Sequence, residues 1–301
     1  MKLFRLIRPS YVRSANRTKY KTLMLLTATT VLATLPISVG LSAQQFTQID
    51  VPGATATFAI SANPRGDIVG DYQDSSGSSH GFLLSKGTFT SFDAPGAIHT
   101  EEIGINPSGD IVGFYIDSSG INHGFLLSKG KFTTIDFPGA SGTLGFSISP
   151  QGDIEGLYFD SSGNGHGFLL SKGKFTTIDF PGAIFTEADG LNPRGDIVGD
   201  YTDSSGNSHG FLLSKGKFTT IDFPGASGTL TFGINPKGEI VGLYFDSSGN
   251  GHGFLLSIGA FTTIDVPGAT FTAAESITPQ SDIVGFDFDS SGNPHGFLLS
   301  K

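Results

Sequence analysis

The side chains able to move protons, hold a metal or grip a hydroxyl-rich ligand fall into two sets, one periodic and one not. In the periodic set His80, His123, His166, His209, His252 and His295 each precede Gly-Phe at a spacing of 43 residues, and Asp50, Asp93, Asp136, Asp179, Asp222 and Asp265 keep the same interval. Histidine is the commonest metal ligand and acid-base side chain. A group repeated at one place in every unit nevertheless suits framework geometry better than catalysis, so the expectation is a structural role: a ring nitrogen bonded to turn backbone or to an aspartate such as Asp203. The aperiodic set is Glu101, Glu102, Glu187, Asp189 and Glu275, joined by His99. These acids sit in "IHTEEIG", "IFTEADG" and "FTAAES", whereas the intervening copies read "SGTLGF" and "SGTLTF". Carboxylates gathered at a concave mouth would focus potential on a cation or a hydroxyl-rich ligand. A pair about 5–10 Å apart with split pKa values would serve a glycosidase or lyase instead. Solvated polar lining without a ligand is the plain alternative. A third group, Asp287, Asp289 and Ser291 in "DFDSSGN", places oxygens at alternate positions as a calcium loop does. It lacks the downstream bidentate glutamate, and a hairpin turn explains the same residues.

What must position these groups is a repeat. Phe46, Phe89, Phe132, Phe175, Phe218 and Phe261 open the same phrase every 43 residues without a slip. Within one copy, "NPRG" (Asn192 to Gly195) spells a type I turn: Asn bonds forward, Pro presets φ and Gly closes. "DSSG" (Asp203 to Gly206) reverses a hairpin, "KG" (Lys215, Gly216) joins two more strands, and "PGA" (Pro181 to Ala183) breaks the last. Between turns, "DIVGDY" alternates as a strand does, Ile197, Gly199 and Tyr201 against Val198 and Asp200. Each copy is therefore four short strands. The fold class that follows is all-β: a six-bladed β-propeller of four-stranded antiparallel blades, with an open β-solenoid, which needs distinct end caps, as the alternative. The last copy ends on "HGFLLSK" without its fourth strand, and "QQFTQID" near Gln44 supplies one. Closure of the ring by that N-terminal strand is the expectation, because it leaves no half-finished sheet edge.

From Gln44 onward, "GINPSGDIVGFYIDSSGINHGFLL" followed by "FTTIDFPGA" resembles the bacterial HAF-repeat family of extracellular proteins, with His-Gly-Phe replacing its His-Ala-Phe triplet. The resemblance implies an exported, propeller-like protein and no reaction. Residues 1–43 agree with export: seven Lys or Arg and no acid precede an apolar run from Leu23 to Leu41 and a small-residue "LSA". An uncleaved anchor is the rival reading, since the run approaches the spanning minimum. Residues 44–301 then form one domain, extracellular or periplasmic, outside the membrane once the signal is removed.

Seven of the 18 basic residues lie in that leader, so the rest carries a formal charge of −16 against −9 for the whole. Such a surface repels phosphate backbones and argues against nucleic-acid partners. Without cysteine there is neither disulfide nor thiolate chemistry. The functional expectation is an exported binding scaffold acting through the loop face, with a glycan or cation as partner and no cofactor beyond the candidate calcium. A carbohydrate-active enzyme using the channel acids and a purely structural cell-surface or matrix protein are the alternatives.

Overall fold

In the computed structural model, residues 45–300 are described, and residues 1–43, for which the sequence suggests an export signal, lie outside them. Among the described residues, twenty-four strands form six four-stranded antiparallel sheets. Blade 1 runs outward through Ala56–Ala62, Ile68–Gln73, Ser79–Ser85 and Thr88–Phe92. Blades 2 to 5 repeat this order from inner strands His99–Ile105, Gly142–Ile148, Phe185–Leu191 and Gly228–Ile234. Blade 6 contributes Phe271–Ile277, Ile283–Phe288 and Pro294–Ser300, and its outer strand is Gln45–Ile49 from the other end of the chain. That strand pairs antiparallel with its neighbour, Gln45 opposite Ser300 and Ile49 opposite Gly296. Each inner strand lies against the inner strands of both adjacent blades, and Ala56–Ala62 meets Phe271–Ile277 to complete the ring. Among the described residues no helix is long and apolar enough to cross a membrane.

Turn chemistry makes the meander. In the first turn Gly66 N–H donates to the Asn63 carbonyl (3.0 Å) while Asn63 Oδ1 accepts from Arg65 N–H (2.9 Å). In the second, Asp74 Oδ1 accepts from the backbone of Ser76 and Ser78 (2.8 and 2.9 Å). The third is a two-residue turn with both central residues at positive φ, Lys86 at 50° and Gly87 at 78°, whose twist matches that of the flanking strands. Blade 5 places Ile258 at this position with φ 51°, fully exposed and β-branched where the backbone favours Asn or Gly.

Each inner strand carries a β-bulge, in blade 4 between Ala188 and Gly190. The bulge requires the glycine of "DIVG" on the facing strand: a Cβ on Gly156 would collide with the Leu144 carbonyl oxygen, and the equivalent clash recurs in every blade. Because one extra residue shifts the alternation, strand parity does not carry through. By parity Glu101 would share a face with Ile105. In the structure Glu101 is opposite Phe114, whereas Ile105, past the bulge, is opposite Ile111, which belongs to the other face.

Blades are glued face to face. The Val198 face of blade 4 packs on Ile234, Ile240 and Phe254 of blade 5, and the same cluster recurs at other junctions. Phe82, Phe125, Phe168, Phe211, Phe254 and Phe297, the Phe of each His-Gly-Phe, are all fully buried. Each contributes about 2–3 kcal/mol by burial, so the triplet is legible as a core element whatever its histidine does.

Candidate functional site

Each of the six repeated histidines lies between an aspartate that follows the outer strand and one in the second turn. In blade 3, His166 Nδ1 lies 2.9 Å from Asp179 Oδ1 at the end of the outer strand, and Nε2 lies 3.7 Å from Asp160 Oδ2 in the "DSSG" turn. The ring stacks on Tyr158, which stacks in turn on Phe137 (centroids 3.7 Å, 4° between planes), and the Tyr158 hydroxyl meets Thr177 at 3.0 Å. The Asn164 side chain and turn amides donate to Asp160 and hold its carboxyl down to about 2. Burial opposes a charge on His80, yet the hydrogen bond and charge of Asp93, helped by Asp74, outweigh it and raise the histidine.

Blade 6 departs from this scheme where its outer strand comes from the N-terminus. Asp287 replaces the tyrosine, and Gln48 stands where the other blades carry Thr or Ser. Gln48 Nε2 bonds Asp50 Oδ2 (2.5 Å) and meets His295 Nδ1 (3.0 Å), while His295 Nδ1 is also 3.0 Å from Asp50. Desolvation, reinforced by the nearby Asp50 and Asp289 charges, pushes Asp287 up to about 6. Of the candidate calcium residues, Asp289 Oδ1 is occupied by the backbone N–H groups of Ser291 and Asn293 (both 2.8 Å), with Asn293 Nδ2 on the other oxygen. Asp287 is a strand residue opposite His295, outside that turn. Among the described residues no group of three or more His, Asp or Glu is arranged to hold a metal.

The aperiodic acids lie on inner strands, as their sequence order implies, but within the protein. Glu101, Glu187, Asp189 and Glu275 are all buried. His99 Nε2 meets Glu101 Oε1 at 2.5 Å, and Glu187 is directly opposite Asp200 on the neighbouring strand. Asp189 and Glu275 are the extra residues of their bulges. Glu102 is a strand residue opposite Gly113. Glu101 and Glu187 belong to inner strands separated by that of blade 3.

A more open feature sits elsewhere. Between blades 2 and 3 lies a cleft of about 760 Å³, lined by Thr133, Thr134 and Asp136 on the blade 2 side and by Gln151, Asp153, Lys172, Leu170 and Phe175 of blade 3. Its lining includes the first turn of blade 3, and that turn is altered. In blades 1 and 4 the turn aspartate is saturated: Asp67 Oδ2 takes Asn63 Nδ2 (2.9 Å) and Arg65 Nε (3.1 Å), and Asp196 Oδ2 takes Asn192 Nδ2 and Arg194 Nε (both 3.0 Å). Ser85 and Ser214 hydroxyls cap the remaining oxygen of each (both 2.5 Å). Blade 3 has Ser149 and Gln151 in place of Asn and Arg. Ser149 Oγ accepts from Asp153 N–H, preserving the turn, but neither side chain donates to the Asp153 carboxylate, which is left half-buried at the cleft. Reading for acids alone does not find this residue, because an aspartate occurs here in five of six copies; comparing the turn donors does, and blade 6, with Thr278 and Gln280 beside Asp282, shares the change.

No protein-family model matches the chain, and no curated protein matches it. Solved structures do. TolB from Acinetobacter baumannii aligns with a TM-score of 0.57 at 16% identity, over 80% of this chain and 65% of that one. AofleA from Arthrobotrys oligospora aligns at 0.54 and 12%, over 87% and 88%. A variant of the Aleuria aurantia lectin, in complex with Fucalpha1-6GlcNAc, aligns at 0.51 and 14%, over 81% and 91%. At such identities the likeness is one of fold, and it agrees with the strand pairing: the chain is a six-bladed β-propeller closed by its own N-terminal strand.

Proposed function

We propose that the protein is an exported carbohydrate-binding propeller that takes a hydroxyl-rich ligand in the cleft between blades 2 and 3. The observation that carries this reading is the Asp153 carboxylate, without the side-chain donors that Asp67 and Asp196 have and set in a concave space. A carboxylate accepts two hydroxyls at once with charge-assisted hydrogen bonds. Gln151 and Lys172 add donors to the lining and Asp136 an acceptor, while Phe175 and Leu170 offer the apolar surface that the C–H face of a sugar ring requires. One of the similar folds, the Aleuria aurantia lectin, is described as fucose-specific and in another of its structures holds Fucalpha1-6GlcNAc, which supports the ligand class without specifying the sugar. The formal charge of −16 beyond the leader disfavours polyanionic glycans and favours neutral ones.

The test is a thermal-shift screen of the purified protein against neutral soluble glycans, followed by calorimetric titration of any hit with the wild type and with Asp153→Asn. At least a tenfold loss of affinity, on the order of 1.4 kcal/mol, is expected from losing the charge-assisted bonds. Equal affinity of the two proteins, or no glycan raising the melting temperature, would refute the assignment.

A further inference from the structure

The second strand of each blade carries one residue that packs across to the next blade. In five blades it is valine: Val69, Val112, Val198, Val241 and Val284, all 0% exposed. In blade 3 it is Glu155, with the same 0% exposure. Both its carboxyl oxygens are closed off from solvent and lack a hydrogen-bond partner. It lies opposite Ser147 on the inner strand and Leu169 on the third strand. The Ser147 hydroxyl is the one polar side chain acting on it, without reaching full hydrogen-bond geometry.

What Glu155 faces follows from its homologues. Val198 joins a cluster with Ile221 of its own outer strand and Ile234, Ile240 and Phe254 of the next blade. The corresponding cluster at the junction of blades 3 and 4 holds Ile178, Ala188, Ile197 and Phe211, with Leu169 and Leu191 packed against it, and no valine. No charged side chain acts on Glu155; the acids flanking Ala188 in the facing inner strand, Glu187 and Asp189, could only oppose a second negative charge. A carboxylate has no compensation in such a place, whereas the neutral acid costs far less.

We propose that Glu155 makes the junction of blades 3 and 4 a pH-gated seam, closed while its carboxyl is protonated and opened by ionisation in alkaline solution while the five valine junctions stay shut. Burial raises this group well above the usual carboxylate range, with no positive charge to bring it back. The folded protein then holds a proton that the unfolded chain releases, so stability drops as pH rises. The ring form is what gives the seam its consequence: one loosened junction converts a closed ring into an open array held at five interfaces.

The experiment compares melting temperatures of the wild type, Glu155→Val and Glu155→Gln from pH 6 to 9.5, with hydrogen exchange at pH 7 and 9. The wild type is expected to lose melting temperature at alkaline pH relative to both variants, with Glu155→Val about 5 °C or more above it at pH 9. Exchange of residues 154–159 and 185–191, corrected for intrinsic rates, is expected to accelerate tenfold more between the two pH values than that of residues 197–202 and 228–234 at the next junction. Parallel melting curves for the wild type and either variant that folds would overturn the proposal, as would equal acceleration at the two junctions.

Discussion

If Gln45–Ile49 completes blade 6 as an ordinary outer strand, then Ile49 should matter as much as its counterpart in an uninterrupted blade, and Ile49→Ala against Ile178→Ala measures that. Both isoleucines end an outer strand, both sit opposite the Gly of His-Gly-Phe, and they are 5% and 6% exposed. Truncating a buried isoleucine costs about 2–5 kcal/mol, through lost transfer energy and the cavity left behind. For a chain of this size each kcal/mol moves the melting temperature by about 2–4 °C, so each variant should melt roughly 5–15 °C below wild type. The assay is thermal unfolding followed by circular dichroism at one pH, with calorimetry to check that each transition is single. Phe46, edge-on to Phe297 at 5.5 Å, and the Asp50–His295 contact should then fail together with Ile49 in one transition. A melt at the wild-type temperature for Ile49→Ala, with Ile178→Ala lowered as stated, would show that the N-terminal strand is docked without closing the ring.

Other outcomes follow from single positions. Ile258→Asn should stabilise by about 1 kcal/mol, since a β-branched residue at φ 51° is strained and this one buries nothing; a lowered melting temperature would contradict that. Gly156→Ala should cost about 3 kcal/mol or more, because the new Cβ meets a backbone carbonyl that cannot yield without breaking the bulge; the readout is denaturant unfolding against wild type. Asp287→Asn should raise the melting temperature at pH 8 and leave it unchanged near pH 3.5: the folded group titrates at about 6, so its contribution is intact below the unfolded value of 3.8 and lost as pH rises through 6. The turn aspartates run the other way. With Asp74 and Asp160 held down to about 2 by turn donors, their contribution is present above the unfolded value and lost as pH falls toward 2, so Asp160→Asn should flatten part of the acid limb of the stability profile.

The architecture was open to reading because every turn residue has a local reason. Asn-Pro-x-Gly, Asp-Ser-Ser-Gly and Lys-Gly choose their backbone conformations without help from distant parts of the chain, and a spacing that never slips leaves only repetition. The incomplete last copy likewise implied its partner strand. The candidate site was less open. Glu101, Glu187, Asp189 and Glu275 were placed on inner strands by order alone, but Asp189 and Glu275 are the extra residues of bulges that no residue type announces, since the glycine permitting each lies on the facing strand. Asp153 is the same residue as four of its five counterparts; what differs from Asp67 and Asp196 is that Ser149 and Gln151 no longer occupy its carboxylate, and it is the fold that sets it beside Thr134 and Asp136 in a cleft.

Local chemistry in the sequence therefore determined the strands, the turns, the six-fold repetition and the closing strand, because each is a matter of φ, alternation and hydrogen bonds within a few residues. Only the tertiary structure decided which face of each strand meets which neighbour. A single acid in a row of valines, Glu155, becomes a buried charge problem only when two blades are pressed together. An ordinary turn aspartate becomes a candidate sugar-binding group only where two blades leave a gap. Burial and desolvation belong to pairs of surfaces, and a chain read one residue at a time does not contain them.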